Sequence, residues 1–185
     1  PYKKRTAQGL ILGPDGQKMS KSRGNVIDPN VIVDEYGADT LRTYILFMGE
    51  YGQEAPWNES SIKGVARFLD RVANLKNKLN DNKGYTSSLE NIIHKTIKKV
   101  SEDIETMKFN TAISTLMTLL NTYYEQESIS KEDYSLLLTL LNPIAPHITE
   151  ELNEMIGYAP IVERSWPSYD EDKTIFVDML DYEIL

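Results

Sequence analysis

Three cations, two hydroxyls and a glycine crowd into eight consecutive residues, Lys18-Met19-Ser20-Lys21-Ser22-Arg23-Gly24-Asn25. A triphosphate requires that mixture: lysines as compact flexible charges, hydroxyls and backbone N–H groups as neutral donors, and glycine to let the main chain approach. The same residue types also make an ordinary solvated basic loop, and the composition of the loop leaves both readings open. The whole chain carries a formal net charge of −8, which argues against a surface that coats nucleic acid. Within the first 25 residues, however, Lys3, Lys4, Arg5, Lys18, Lys21 and Arg23 oppose Asp15 alone. A basic head on an acidic body points to a local anion site.

The 185 residues, 41% of them hydrophobic, suffice for one sizeable core or one medium domain with an appendage. There are no cysteines, and the two histidines, His94 and His147, lie far apart, so no disulfide framework or Cys/His zinc site is expected. Any metal would have to arrive with a ligand. No apolar stretch has the length of a membrane span and the N-terminus lacks the apolar core of a signal peptide, so no membrane association is expected and a cytoplasmic location is the default. With Pro1 where an initiator would stand and a short strand, Gln8 to Leu12, running straight into the Gly13-Pro14-Asp15-Gly16 turn, the chain is expected to be a piece of a longer one.

The elements that must hold the basic loop follow from periodicity and caps. Asp28 is placed to cap a helix with Pro29 in its first turn, Val31, Ile32 and Tyr36 on its apolar side and Gly37 as its stop. Asp39 begins a second helix that runs to Gly49, with Leu41, Tyr44, Ile45 and Met48 at helical spacing. Residues 49–56 are turn-rich and mark a domain boundary. Beyond it, Ile62, Val65, Leu69, Val72 and Leu79 stripe a helix begun by Asn58; Ile93, Ile97, Val100, Ile104 and Met107 mark the next, and Ile113, Leu116, Met117 and Leu120 a third. Ser130 and Asp133 form a variant capping box for a fourth, and Pro146 and Gly157 bracket a last helix over 146–156. The pattern is mainly α, a helical bundle after a smaller N-terminal unit, with a candidate strand at Thr174 to Val177. Asp39 reads as a helix cap, Arg42 as a surface or linking cation, Tyr36, Tyr44 and Trp57 as core residues, His147 as structural and His94 as exposed. Gly64, in mid-helix, predicts the close approach of another backbone.

Lys18-Met19-Ser20-Lys21-Ser22 is, letter for letter, the KMSKS motif of class I aminoacyl-tRNA synthetases. It is followed in order by Gly24-Asn25-Val26-Ile27-Asp28-Pro29 and Tyr36-Gly37-Ala38-Asp39-Thr40-Leu41-Arg42, as in the leucyl, isoleucyl, valyl and methionyl branch. The run from Trp57 through Gly64 to Arg67-Phe68-Leu69-Asp70-Arg71-Val72 resembles the opening of the helical domain in the leucyl members. Phe109 to Ile113, Leu141 to Leu152 and Trp166-Pro167 are similar to later blocks of the group. The resemblance thus spans nearly the whole chain and is weakest over 161–185.

The resemblance implies the C-terminal edge of a Rossmann-like catalytic domain with a small connecting fold over 1–56, an α-helical bundle of anticodon-binding type over 57–160, and a linker toward a further domain over 161–185. It implies that the full enzyme activates leucine with ATP and Mg2+ and passes the leucyl group to tRNA(Leu). Lys18 and Lys21 would then stabilise the charge growing on departing pyrophosphate, within an ATP-binding set of Lys18, Met19, Ser20, Lys21 and Ser22, Met19 serving for packing. It further implies a mobile loop, with Gly13, Gly16 and Gly24 suited to hinging. The nucleotide-binding His-x-Gly-His motif, most of the leucine pocket and the inserted editing domain lie outside these residues, so the piece alone is expected to be inactive. Lys63, Arg67 and Arg71 share one helix face, which suits either phosphate contact along a tRNA body or a solvated face with ion pairs to Glu59 or Asp70. The alternatives are a valyl, isoleucyl or methionyl enzyme, or a non-catalytic RNA-binding module that kept the bundle.

Overall fold

The computed structural model describes residues 2–175, and every expected helix forms, three of them at the side-chain caps read from Asp28, Asn58 and Ser130; the helix carrying Ile62 ends at Asn74, short of Leu79, and the next ends at Glu105, short of Met107. Strand β1 (Ile11–Leu12) pairs in parallel with β2 (Ala55–Pro56), so the turn-rich stretch before Trp57 folds back on the start of the chain. The Trp57 N–H continues this pairing by donating to the Leu12 carbonyl at 2.9 Å. Helix α1 (Pro29–Tyr36) starts at Asp28, whose carboxylate accepts from the Asn30 N–H at 2.9 Å, and ends at Gly37 with φ 86°. Ile32 is its buried residue, while Val31, expected on the apolar side, faces solvent because α1 is covered on one side only. Helix α2 (Ala38–Phe47) follows at once.

Tyr44 of α2 is fully buried, its ring edge-on to Trp57 at 4.9 Å and its hydroxyl accepting the Asn58 N–H at 2.7 Å. Around that pair gather Ile32, Ile62 and Val65, with Met19, Ile27 and Leu41 at the margin. This small core straddles Pro56–Trp57, since Ile62 and Val65 belong to the first turns of α3 (Glu59–Asn74).

The larger core unites α3 with α4 (Glu90–Glu105), α5 (Phe109–Glu125), α6 (Lys131–Leu141) and α7 (Pro146–Met155). Helix α6 is buried on all sides from Asp133 to Leu141, the placement dictated by a run of apolar residues with no polar face. Its capping box is complete: Asp133 N–H donates to Ser130 Oγ and Ser130 N–H to Asp133 Oδ2, both at 3.0 Å. The same carboxylate takes the Thr86 N–H and hydroxyl, so one buried aspartate both starts α6 and holds the loop before α4.

Three further expectations fail here. His94 is buried at 8% exposure, not exposed, and its Nδ1 accepts the Asp170 N–H at 3.0 Å. The cause is a strap, residues 164–174, that crosses α4 antiparallel to it: Trp166 Nε1 donates to Ser101 Oγ, Lys98 pairs with Glu171, and Asn91 Nδ2 donates to the Lys173 carbonyl. Thr174, expected in a strand, closes a short 3-10 turn over Asp172–Thr174, and the rest of that candidate strand after Ile175 lies outside the described residues. Gly64 meets no atom within 4 Å of where a Cβ would stand, so no backbone packs against it and its helix cost is not offset there.

Helix α7 begins at Ala145, which has no side chain able to cap it. Its acceptor comes from α2. Asp39 Oδ2 takes the Ile148 N–H at 2.7 Å and Oδ1 takes His147 Nδ1 at 2.8 Å, while Arg42, one turn on, donates Nε to the Ile144 carbonyl at 2.9 Å and Nη2 to that of Pro143 at 3.2 Å. Asp39, expected as the cap of its own helix, is thus the cap of another, and Arg42 is the linking cation. Asp39→Ala is expected to cost about 1–2 kcal/mol, the usual loss for an N-cap, and to lower the urea midpoint accordingly. His147→Ala should cost less, because the ring is 76% exposed; equal midpoints for wild type and Asp39→Ala would contradict the capping role.

Candidate functional site

Between β1 and α1 the basic loop is built on a tight turn. Gly16 N–H donates to the Gly13 carbonyl at 2.9 Å and Gly13 N–H to that of Gln17 at 2.8 Å. Gly16 has φ 71°, in the left-handed region that glycine enters without steric cost. Lys18 then forms an antiparallel bridge with Leu12, and Met19 turns inward against the Tyr44–Trp57 core. Lys21 to Arg23 make one 3-10 turn closed by Gly24, φ 66°, whose N–H donates to the Lys21 carbonyl. Ser20 Oγ and Ser22 Oγ lie 3.3 Å apart.

This arrangement separates the motif into two kinds of residue. Met19 is half-buried and anchors the loop, while Lys18 and Lys21 are exposed and make no ion pair among the described residues. Two ammonium groups without partners beside two hydroxyls form a donor-rich surface suited to a polyanion.

The loop is closed by a residue that its composition does not single out. The Asn25 amide donates through Nδ2 to both Asp15 carboxylate oxygens, at 3.0 and 3.1 Å, and to the Lys18 carbonyl at 3.4 Å. Its Oδ1 accepts the Ser20 N–H at 2.8 Å. Asp15 also takes the Gln17 N–H at 3.1 Å. A Cβ on Gly13 would stand 2.7 Å from Asp15 Oδ1 and 2.8 Å from Asn25 Nδ2, so this position requires glycine for close approach rather than for its torsion.

The cationic stripe on α3 is a separate feature. Lys63 leans toward Glu59 at 3.8 Å, one of the ion pairs anticipated for a solvated face. The Arg71 guanidinium sits 4.7 Å from the centre of the Tyr124 ring, whose hydroxyl donates to the Arg71 carbonyl. Arg67 is exposed and makes no ion pair among the described residues, Asp70 included.

Comparison with known proteins bears on both features. Residues 1–58 match the family described as tRNA synthetases class I (I, L, M and V), and residues 87–184 match the anticodon-binding domain of tRNA ligase. The chain belongs to the class I tRNA synthetases. It is 54% identical over 176 residues to the leucine–tRNA ligase of Alkaliphilus oremlandii (strain OhILAs), covering 95% of this chain and 22% of that protein. Against the leucine–tRNA ligase of Bdellovibrio bacteriovorus it is 49% identical over 178 residues, covering 92% and 22%. It therefore spans about a fifth of the length of the curated relatives it matches. Among solved structures it resembles the agnB2 LeuRS of Agrobacterium radiobacter K84, in ternary complex with tRNA and LeuAMS, with a TM-score of 0.81 at 31% identity over 91% of this chain and 24% of that one. A methionyl-tRNA synthetase of Mycobacterium tuberculosis, at 18% identity, covers 77% of this chain and 36% of that one with a TM-score of 0.59 and shares the fold.

Within this synthetase fold no helix of the described residues is long and apolar enough to cross a membrane. Asn25 and Asp15 are legible in sequence only as turn formers, although one clue is present: an aspartate alone among cations, outside any helix, has no evident reason to be there except to accept hydrogen bonds. Its carboxyl is held below the ordinary aspartate range, first by the Asn25 amide and then by the Gln17 N–H. A depressed folded value means the contact is complete above the ordinary range and is lost as pH falls through the lowered one. The Asn25 side-chain amide resonances are therefore expected to titrate with a midpoint below the usual aspartate value of about 3.9; a midpoint at or above that value would contradict the depression.

Proposed function

We propose that the complete protein is a leucine–tRNA ligase, with residues 1–56 as the C-terminal part of its catalytic domain, 57–160 as a helical tRNA-binding domain and 161–185 as the lead into a further domain. The observation that carries this reading is the pair of unpartnered lysines, Lys18 and Lys21, on a loop whose Met19 is anchored in the core. The relatives at 54% and 49% identity, both named leucine–tRNA ligases, support leucine over valine, isoleucine or methionine.

In activation a leucine carboxylate oxygen attacks the α-phosphorus of ATP, entering as its magnesium complex; the bond to the β-phosphate bridge breaks and pyrophosphate leaves. Negative charge grows on that leaving group. Lys21 and Lys18 engage it more strongly than they engage bound ATP, with Ser20 and Ser22 as neutral donors, and this difference lowers the barrier. The terminal adenosine hydroxyl of tRNA(Leu) then attacks the acyl carbon, releasing AMP. Such a protein works in the cytoplasm, where ATP and tRNA are supplied.

For the tRNA body, Arg67 leads the α3 stripe because Lys63 and Arg71 already have contacts at Glu59 and Tyr124. The bare surface at Gly64 flanks it and leaves room for a ribose-phosphate backbone to come close.

Lys18→Ala with Lys21→Ala in the complete polypeptide should lower leucine-dependent pyrophosphate exchange by about a hundredfold or more, the scale of losing transition-state charge stabilisation. Unchanged exchange in a folded double variant would sink the assignment, and exchange driven by valine, isoleucine or methionine instead of leucine would redirect it. Residues 1–185 alone should give no exchange. Lys63→Ala with Arg67→Ala should raise the KM for tRNA, leave exchange intact, and flatten the salt dependence of tRNA binding by about one in log–log slope for each phosphate the protein no longer neutralises; a KM and slope equal to wild type would remove α3 from the RNA surface.

A further inference from the structure

Two lysines serve one triphosphate only if their backbones are held in fixed relation, and the loop lacks the usual means of doing so. It has no helix beyond the single 3-10 turn at Lys21–Arg23, and Lys18 and Lys21 themselves bond to no other side chain among the described residues. Beyond the Lys18–Leu12 bridge and the inward packing of Met19 and Ile27, what ties the two sides of the segment together is one side-chain amide. Asn25 grips the main chain on both sides of Met19, at the Lys18 carbonyl and the Ser20 N–H. Asp15 in turn grips Asn25 with both carboxylate oxygens and is itself set by the Gln17 N–H. Gly13 leaves no Cβ where these two side chains meet.

Electrostatics makes the presence of Asp15 informative. A carboxylate ten residues from Asn25 in sequence, beside a loop that must attract a polyanion, opposes binding through its charge. Its place there requires a compensating task, and the geometry supplies one.

We propose that Asp15 and Asn25 are positioning residues for pyrophosphate departure: they latch residues 13–25 into a single ring so that Lys18 and Lys21 move and engage the triphosphate together. This rests on the reading of Lys18 and Lys21 given above. Asn25 and Asp15 touch no reacting atom in this account. Their work is to remove the separate main-chain freedom of the two lysines, an orientation effect to which rates are steeply sensitive.

The test exchanges the partners. In Asn25→Asp the amide donors vanish and two carboxylates face each other, whereas Asp15→Asn combined with Asn25→Asp restores a donor and an acceptor across the same gap, keeps an acceptor for Ser20 N–H and carries the same net charge as wild type, giving up only the long 3.4 Å bond to the Lys18 carbonyl. In the complete polypeptide, pyrophosphate exchange by Asn25→Asp is expected to lose about tenfold or more in kcat/KM for ATP, with the KM for leucine and the melting temperature unchanged. The double exchange should return to within about threefold of wild type. Wild-type kinetics for Asn25→Asp, or a double variant no better than the single one, would overturn the latch. Running Lys18→Ala with Lys21→Ala alongside separates the two ideas: if that variant loses exchange while Asn25→Asp does not, the latch fails and the role of the lysines stands; if neither loses exchange, the reading of the loop itself has failed.

Discussion

The molecule is organised by a helix that cannot cap itself. Helix α7 opens with Ala145 and Pro146, residues without a side-chain acceptor, and its free N–H groups demand one from elsewhere. Asp39 supplies it from the first turn of α2, and Arg42 takes the carbonyls of Pro143 and Ile144 just before. A carboxylate at the N-terminus of a helix is favoured by both hydrogen bonding and the helix dipole. Because donors and acceptors run in both directions across this joint, α2 cannot slide along α7 without breaking several of them at once.

Helix α2 then transmits that constraint. Tyr44, on the same helix, meets Trp57 edge-on and accepts the Asn58 N–H, and this aromatic pair belongs to the small core against which Met19 packs. The signature loop is therefore tied to the bundle in sequence through the joint, helix α2 and the small core that holds Met19. Its cations are left free while its one apolar residue is not. A loop anchored through Met19 and Ile27 and closed by Asn25 has a defined base and an open, charged rim.

How much of this is legible in sequence divides along locality. Asp28, Asn58 and the Ser130/Asp133 box act on N–H groups two or three residues away, and each is readable because the cap and the helix are adjacent in the chain. The partner of Asp39 lies 109 residues on, so no local pattern distinguishes a cap for its own helix from a cap for another. His94 departs from its expected exposure for a related reason. Asn91, His94, Lys98 and Ser101 recur at helical spacing and all bond to the strap, but they are polar, and apolar periodicity registers only faces covered by hydrocarbon. Gly64 suggests room for a backbone inside the protein and instead faces outward, because a missing side chain looks the same in sequence on either side of a helix. In the candidate site, the residue types of Lys18 to Ser22 and the inward role of Met19 are readable; the latch is not, because Asp15 and Asn25 look like turn formers until the turn brings them together.

Asp133 carries one more implication. Its carboxylate serves the first turn of α6 and Thr86 of the loop before α4, and α6 is the helix enclosed on every side. That loop cannot peel away without exposing a buried charge and loosening the innermost element. The Thr86 amide proton should therefore exchange with solvent only when α6 and its surroundings open, so the end of an apparently peripheral connection belongs to the same cooperative unit as the centre.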